Sequence, residues 1–230
     1  MFLALCLTYL PPLLIATAVI LFHKSKVPLR LIMYAVILGF LLGYPAGFLN
    51  GYTVHYWDFS PLAGFTEEPL KLIVLSLFLR RRPEIKEPMD AVVYAALISL
   101  AFAAQENFDY VFDPVDGYSA HLAFSRAVGA IPLHASCGII MGYYYGQYMF
   151  RGSRNLLFLS LALPIIFHST FNIIISLTDL LEYIYVPLLS FYAVYLINKL
   201  QSWKRHNFIL ILLAVLSPYV WYVIFYGFIV

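Results

Sequence analysis

Long apolar stretches dominate this chain and decide what it can fold into. Hydropathy separates eight of them, and most reach the roughly 20 residues that a helix needs to cross the hydrocarbon core of a bilayer. No water satisfies backbone polar groups in that core, so each crossing has to be helical. The pattern predicts an all-α protein, a polytopic transmembrane helix bundle of about eight spans. The predicted spans are 2–22, 29–49, 61–80, 89–111, 120–149, 155–178, 183–198 and 208–230.

The composition excludes an ordinary soluble domain. Hydrophobic residues make up 63% of the chain and charged residues only 11%, against about 25% charged in soluble proteins. The gaps between apolar runs are short, so we expect one domain over residues 1–230, with residues 51–60 forming a loop or interfacial turn. The first run follows Met1 without a basic segment or cleavage site, which indicates a retained span. A net charge of +2 gives no reason to expect a nucleic-acid partner; the expected partner is the lipid bilayer.

The charges of the loops alternate along the chain and predict the orientation. Of the fourteen Lys and Arg residues, all but Lys71 and Arg126 fall in or next to every second loop. The remaining loops carry Asp and Glu but no basic residue. By the positive-inside rule the basic loops are cytoplasmic, so we expect both termini to be extracytoplasmic and the protein to be a multi-pass protein of the cell membrane.

Polar and charged side chains interrupt the predicted spans 3 to 6. Such residues are costly in a membrane, face the bundle interior and are candidates for function. At about 1.5 Å per residue, four helices bring them to a similar depth in the outer half of the bilayer. This convergence is the main functional observation in the sequence. The candidate catalytic residues are Glu67, Glu68, Lys71, Glu106, His134, His168 and Asn172.

Spacing within the helices offers both structural and chemical interpretations. Lys71 follows Glu67 by four residues and Glu68 by three, so either carboxylate can pair with it. A single ion pair that fixes the helix in the bundle would leave the second carboxylate without a partner. Burying an unpaired carboxylate is unfavourable in free energy. The two His residues could each be hydrogen-bonded core residues. Arg126 could pair with Glu106 or with a lipid phosphate.

Two classes of mechanism fit these residues. In a protease, a carboxylate takes a proton from water while His or Asn stabilises the oxyanion. Alternatively, Glu106, His134 and His168 bind a divalent metal such as Zn²⁺, although the sequence has no HExxH motif. In a proton- or cation-coupled transporter the same residues would form a relay. A transporter also needs polar groups in the inner half of the membrane, where spans 3 to 6 have few. A non-catalytic membrane scaffold is the remaining alternative.

The motifs, taken in order, resemble the PrsW family of intramembrane proteases. Residues 67–71 match EExxK and residues 102–107 match FAxxEN, followed by His134-Ala135 and by His168 with Asn172. The wider group of CAAX prenyl endopeptidases and bacteriocin-processing proteases has EExxxR, FxxxH and HxxxN. Here Lys71 comes one position earlier than that Arg, and Glu106 stands in place of the His. The resemblance covers about residues 60–175.

The resemblance implies an intramembrane endopeptidase with Glu67 and Glu68 as the leading catalytic residues. Glu106, His134 and His168 would complete the site with or without a metal, because the family is described both as metal-dependent and as glutamate-type. In the best-known case the family cleaves a membrane-anchored anti-sigma factor. The implied substrate is therefore a single-span membrane protein, cut near its extracytoplasmic end in regulated proteolysis.

Overall fold

The structure is a computed structural model that describes residues 1–21, 23–57, 59–113, 117–177 and 181–201, with side chains except at 55–57. Within these ranges the chain forms eight helices and one short hairpin. The hairpin pairs β1 (Phe112–Asp113) with β2 (Gly117–Tyr118) in antiparallel fashion. The helices are α1 Phe2–Leu21, α2 Leu29–Trp57, α3 Leu62–Leu79, α4 Pro88–Val111, α5 Ala120–Val128, α6 Ala130–Arg151, α7 Arg154–Leu177 and α8 Glu182–Gln201.

The predicted all-α architecture is confirmed. Six helical stretches among the described residues are long and apolar enough to cross a membrane, with Ala120–Arg151 counted as one stretch. Helix α3 is not among them because Glu67, Glu68 and Lys71 all fall within its 18 residues. The predicted span 208–230 lies outside the described residues. The total of about eight spans and the orientation of the termini stay predictions.

Two predicted boundaries are wrong. Residues 51–57, expected as a loop or turn, continue α2 as helix, since no proline interrupts the chain between Pro45 and Pro61. The single predicted helix 120–149 is broken at Gly129 into α5 and α6. Pro132 has no N–H to donate to the carbonyl four residues earlier, so the helix loses a hydrogen bond at this point.

Helix α4 is the centre of the bundle and is buried along nearly its whole length. Helix α6 packs against it through three glycines one turn apart, Gly138, Gly142 and Gly146. A Cβ at Gly142 would lie 2.6 Å from Cα of Val92, so only a glycine allows this approach. Small residues at such spacing are the usual means of close packing between membrane helices. The contact fixes α6, and with it His134, against α4.

Polar contacts tie two of the basic loops together at the end of the bundle where α1 ends and α4 begins. Nε2 of His23 lies 2.8 Å from Oδ1 of Asp90. The other oxygen of Asp90 accepts the backbone N–H groups of Lys86 and Glu87 at the start of α4. Ser25 donates a hydrogen bond to the Glu87 carboxylate. The positions of α1, α2 and α4 at this end are therefore fixed by side chains as well as by packing.

Candidate active site

The EExxK motif begins in the first half of α3, and its three charged side chains are fully buried. Nζ of Lys71 is 2.8 Å from Oε1 of Glu68 and 3.4 Å from Oε2 of Glu67. The helical spacing therefore brings both carboxylates to one ammonium, as the sequence allowed. The ammonium also lies 4.2 Å from the centre of the Phe102 ring, the first residue of the FAxxEN motif. Neither carboxylate is left without a cation.

The two predicted histidines complete this cluster from α6 and α7. Nδ1 of His134 is 3.0 Å from Nζ of Lys71. Nδ1 of His168 is 2.9 Å from Oε1 of Glu68 and 3.8 Å from Oε2 of Glu67. The two imidazole rings meet edge to face with centres 4.9 Å apart. Three helices thus bring two carboxylates, one ammonium and two imidazoles into direct contact.

Glu106 on α4 touches the cluster through His134 and is held from the other side by Arg126. Its Oε2 atom lies 3.1 Å from Nε2 of His134 and 2.6 Å from a guanidinium nitrogen of Arg126. Nε of the same arginine donates to Oδ1 of Asn107 at 2.6 Å. The pairing of Arg126 with Glu106, one of the two partners considered from the sequence, is confirmed. Because the ammonium of Lys71 has no lone pair, Nδ1 of His134 accepts and Nε2–H donates to Glu106.

Helix α7 is anchored to the start of α3, which sets the distance between His168 and the two glutamates. Oγ of Ser169 donates to the carbonyl of Pro61 at 2.8 Å. A Cβ at Gly64 would lie 2.5 Å from that Oγ, so this glycine permits the contact. Nδ2 of Asn172 donates to the carbonyl of Ser60 at 3.0 Å. The structure therefore gives Asn172 a backbone partner rather than a glutamate or histidine, and its catalytic role stays a prediction.

A cavity of about 400 Å³ opens beside the cluster, between α2, α3, α4, α6 and α7, with Arg126 of α5 at its wall. Four of the predicted ionisable residues line it, together with Asn172. Glu68 and Lys71 are not among the lining residues; they lie behind Glu67 and His168. The site therefore has two kinds of side chain: those that line the cavity and can contact a bound molecule, and those behind them that hold the lining side chains in place. The ionisable residues that reach the cavity are Glu67, Glu106, His134 and His168, joined by Asp109 and Arg126 at its wall.

The buried side chains fit a divalent metal. Glu67, Glu68, His134 and His168 each offer a ligand atom, and these atoms lie within 4.8 Å of one another. Imidazole nitrogen and carboxylate oxygen are the donors that catalytic zinc sites use. Within the part of the chain that the structure describes, the buried Oε2 atom of Glu68 has no hydrogen-bond partner, which leaves it free to bind a metal. The predicted ligand set shares the two histidines; Glu106 lies outside this group, and its role as a ligand stays a prediction.

Sequence reasoning missed two residues of the site. Nδ2 of Asn50 donates to Oε1 of Glu67 at 3.0 Å, and the Thr66 hydroxyl donates to Oδ1 of Asn50. The predicted second span ended at residue 49, which placed Asn50 in a loop and outside the search for polar residues within spans. The sequence nevertheless held a signal for Asn50. No proline or charged residue separates it from the apolar run before it, so the helix can continue through this position.

The family model described as "PrsW family intramembrane metalloprotease" matches residues 27–198. The chain is 30% identical to Protease PrsW of Clostridioides difficile (strain 630) over 167 residues, which covers 69% of this chain and 68% of that protein. It is 28% identical to Protease PrsW of Bacillus subtilis (strain 168) over 191 residues, which covers 78% of this chain and 85% of the relative. No solved structure matches the chain.

Proposed function

The chain belongs to the PrsW family of intramembrane metalloproteases, and from this premise we propose that it hydrolyses a peptide bond of a single-span membrane protein near the extracytoplasmic face of the cell membrane. An anti-sigma factor is the substrate class that we expect. The observation that carries the proposal is the cavity of about 400 Å³ that Glu67, Glu106, His134 and His168 all line. The basic loops lie at the opposite end of the bundle, which supports an extracytoplasmic position for this cavity.

Glu67 is the proposed general base. It lines the cavity, whereas Glu68 does not. Glu68 also has the shorter contacts, at 2.8 Å to Lys71 and 2.9 Å to His168, against 3.4 and 3.8 Å for Glu67. The carboxylate with the weaker hold is the one free to exchange a proton. Glu68 then has a different task, which is to fix Lys71 and His168 in place.

The proposed reaction is an addition followed by an elimination. The oxygen of a water molecule adds to the carbonyl carbon of the scissile peptide bond, and the water proton passes to Glu67. The carbonyl oxygen becomes an oxyanion, which His168 and the side chains beside it stabilise. Glu67 returns the proton to the amide nitrogen as the C–N bond breaks, so the two products leave with a new carboxyl group and a new amine.

Glu68, His134 and His168, three of the four side chains that meet here, would hold the metal that the family name implies, with Zn²⁺ as the proposed ion and Glu67 left beside it as the base. A divalent ion at this position supplies Lewis-acid polarisation of the scissile carbonyl. Glu106 supports the set by accepting a hydrogen bond from Nε2 of His134, 3.1 Å away, which keeps the lone pair of that ring on Nδ1. Lys71 engages this lone pair in the structure, and a bound metal would take it in place of the ammonium. Lys71 contacts Glu67, Glu68 and His134, and its single positive charge offsets one of the two carboxylate charges.

Membership of a protease family favours this function over the transporter and the scaffold considered from the sequence. The three differ in one measurable result. A transporter or scaffold leaves a co-reconstituted single-span protein intact, whereas a protease cuts it at a defined position. A relay would also connect the site to the other end of the bundle, whereas among the residues that the structure describes the ion-pair partners of Glu67 and Glu68 are Lys71 and His168, both of the same cluster.

The test uses the full chain in proteoliposomes together with a panel of tagged single-span membrane proteins that includes an anti-sigma factor. We expect one cut near the extracytoplasmic end of a substrate, mapped by mass spectrometry, and no cut with Glu67→Gln. The matched control is Glu84→Gln, which removes a carboxylate from the loop at the opposite end of the bundle. Intact substrates with the wild-type protein, or full cleavage by Glu67→Gln, would refute the proposal.

A further inference from the structure

Asn50 has the shortest side-chain contact that Glu67 makes among the described residues. Its amide nitrogen donates to Oε1 of Glu67 at 3.0 Å, while Lys71 and His168 approach only the other oxygen, at 3.4 and 3.8 Å. Asn50 also lines the cavity that Glu67 faces. We propose that Asn50 is a positioning residue that holds the Glu67 carboxylate toward the cavity for the hydrolysis described above. This inference rests on the proposed function.

The neighbouring threonine supports the orientation in which the N–H end of the amide faces Glu67. The Thr66 hydroxyl reaches Oδ1 of Asn50, and its oxygen is also 2.9 Å from the carbonyl of Ala63. The Glu67 carboxylate can only accept, so it faces the N–H end of the amide; Oδ1 then faces Thr66, and the single hydroxyl proton goes to Oδ1 rather than to the Ala63 carbonyl. The two N–H donors of the amide then point the other way, toward the carboxylate. Thr66 therefore orients Asn50, and Asn50 orients Glu67.

The chemical character of the donor suits a base. A hydrogen bond from ammonium or imidazolium to a carboxylate is stronger than one from a neutral amide. The Lys71 ammonium and the His168 ring make their short contacts to Glu68, at 2.8 and 2.9 Å. Glu67 receives a neutral donor on Oε1, so its orientation is fixed without a close ion pair on that oxygen. Adjacent residues of α3 therefore have different roles: Glu67 acts as the base, and Glu68 holds Lys71 and His168.

The contact also joins α2 to α3 beside the cavity. Without the Asn50 amide, the Glu67 carboxylate is free to rotate toward Lys71 and His168, 3.4 and 3.8 Å away. Such a rotation closes a second short ion pair and removes the base from the cavity. Substrate still enters the cavity, because Asn50 is only one of many lining side chains. Loss of this contact should therefore lower kcat and leave KM nearly unchanged.

The experiment measures kcat and KM in proteoliposomes, with KM expressed as the mole fraction of substrate in the bilayer. We expect Asn50→Ala to lower kcat about tenfold, the effect of losing one hydrogen bond to a charged group, with KM within about twofold. Asn50→Asp keeps the shape but replaces the donor by a like charge, so it should be at least as slow as Asn50→Ala. Thr66→Val, which frees the amide to turn over, should fall between Asn50→Ala and the wild type. Thr53→Val is the matched control, because its hydroxyl donates to the carbonyl of Leu49 within α2, its one hydrogen bond among the described residues.

A role limited to filling space predicts the opposite order for the two Asn50 variants. Wild-type kcat in Asn50→Asp, or in Asn50→Ala, would overturn the positioning role. A fall in activity that follows a fall in thermal stability and raises KM would also overturn it. The wild type and Glu67→Gln are measured in the same assay, so that a failure of the proposed function can be distinguished from a failure of the positioning role of Asn50. No cleavage by the wild type, or undiminished cleavage by Glu67→Gln, would overturn the proposed function and this inference together.

Discussion

The ammonium of Lys71 lies 3.0 Å from Nδ1 of His134, a contact between a group that only donates and a ring nitrogen that must accept. The contact fixes the tautomer of the imidazole, so its second nitrogen carries the proton and donates to Glu106. It also joins the EExxK motif of α3 to α6, 63 residues further along the chain. The paired glutamates and the histidines therefore form one connected network.

Replacing Lys71 by Met should abolish cleavage and destabilise the bundle. The substitution leaves two fully buried carboxylates with no lysine between them, and removing one partner of a buried ion pair costs about 3–5 kcal/mol. We expect a clear fall in the thermal unfolding temperature in detergent together with a loss of cleavage in proteoliposomes. Lys199→Met, at an exposed position in the last turn of α8, should change neither quantity. An unchanged unfolding temperature in Lys71→Met would show that the network is not the buried ion cluster described above.

Glu67→Gln and Glu68→Gln should both stop cleavage but differ in stability. Removal of a general base typically costs about 10²–10⁴-fold in rate. Glu67 accepts from Asn50 and is only 3.4 Å from Lys71, so its amide variant keeps most contacts and should unfold near the wild-type temperature. Glu68 accepts from both Lys71 and His168 at under 3 Å, so its variant should unfold at a clearly lower temperature.

Thermal unfolding and cleavage of the two glutamate variants are measured side by side. Equal destabilisation of both would remove the distinction between a base and a holding carboxylate. Cleavage by Glu68→Gln at the wild-type rate would instead show that the fixing of Lys71 and His168 by Glu68 is not needed for the reaction.

Arg126→Met should reduce cleavage about tenfold without unfolding the protein. The guanidinium holds Glu106 at 2.6 Å and Asn107 at 2.6 Å, and it stacks on the Tyr110 ring at 4.2 Å. Without it, Glu106 loses its charge partner and holds His134 less firmly. Cleavage in proteoliposomes measures the effect, with Arg151→Met in the exposed last turn of α6 as the control. If Arg126→Met cleaves as fast as the wild type, the contact of Glu106 with His134 does not need this support.

A bulky side chain at Gly47 should block the cavity without disturbing the fold. Gly47 lines the cavity, and a Cβ built on it meets nothing within 4 Å, so there is room for the substitution. We expect Gly47→Phe to raise KM or abolish cleavage while the unfolding temperature stays the same. Leu49→Phe adds a similar bulk at an exposed position of the same helix that does not line the cavity, and should cleave normally. Normal cleavage by Gly47→Phe would mean that substrate binds elsewhere.

Sequence reasoning predicted the chemistry of the site better than its geometry. The charges of Glu67, Glu68 and Lys71 within an apolar run could only be explained by contacts inside the bundle, and the structure has those contacts. Helical spacing relates residues of one helix, so the pairs within α3 were predictable. Distances between helices depend on how closely they pack, which Gly64 and Gly142 decide through contacts that no spacing rule contains. The contact of Asn50 with Glu67 is of this kind, since it crosses from α2 to α3.

Metal content separates the two mechanisms that the sequence left open. Zinc would take its donors from Glu68, His134 and His168, so His134→Ala and His168→Ala should each lower the zinc content of the purified protein from about one per chain to near zero. His121→Ala, an exposed histidine near the start of α5, should keep the wild-type content. Elemental analysis of protein purified in detergent provides the measurement, and it needs no substrate. Glu106→Ala distinguishes the two ligand sets, because a supporting Glu106 should weaken zinc binding about 10–100-fold rather than abolish it. A wild-type preparation that cleaves its substrate with no zinc or other divalent metal bound would instead leave Glu67 as the sole activator of water.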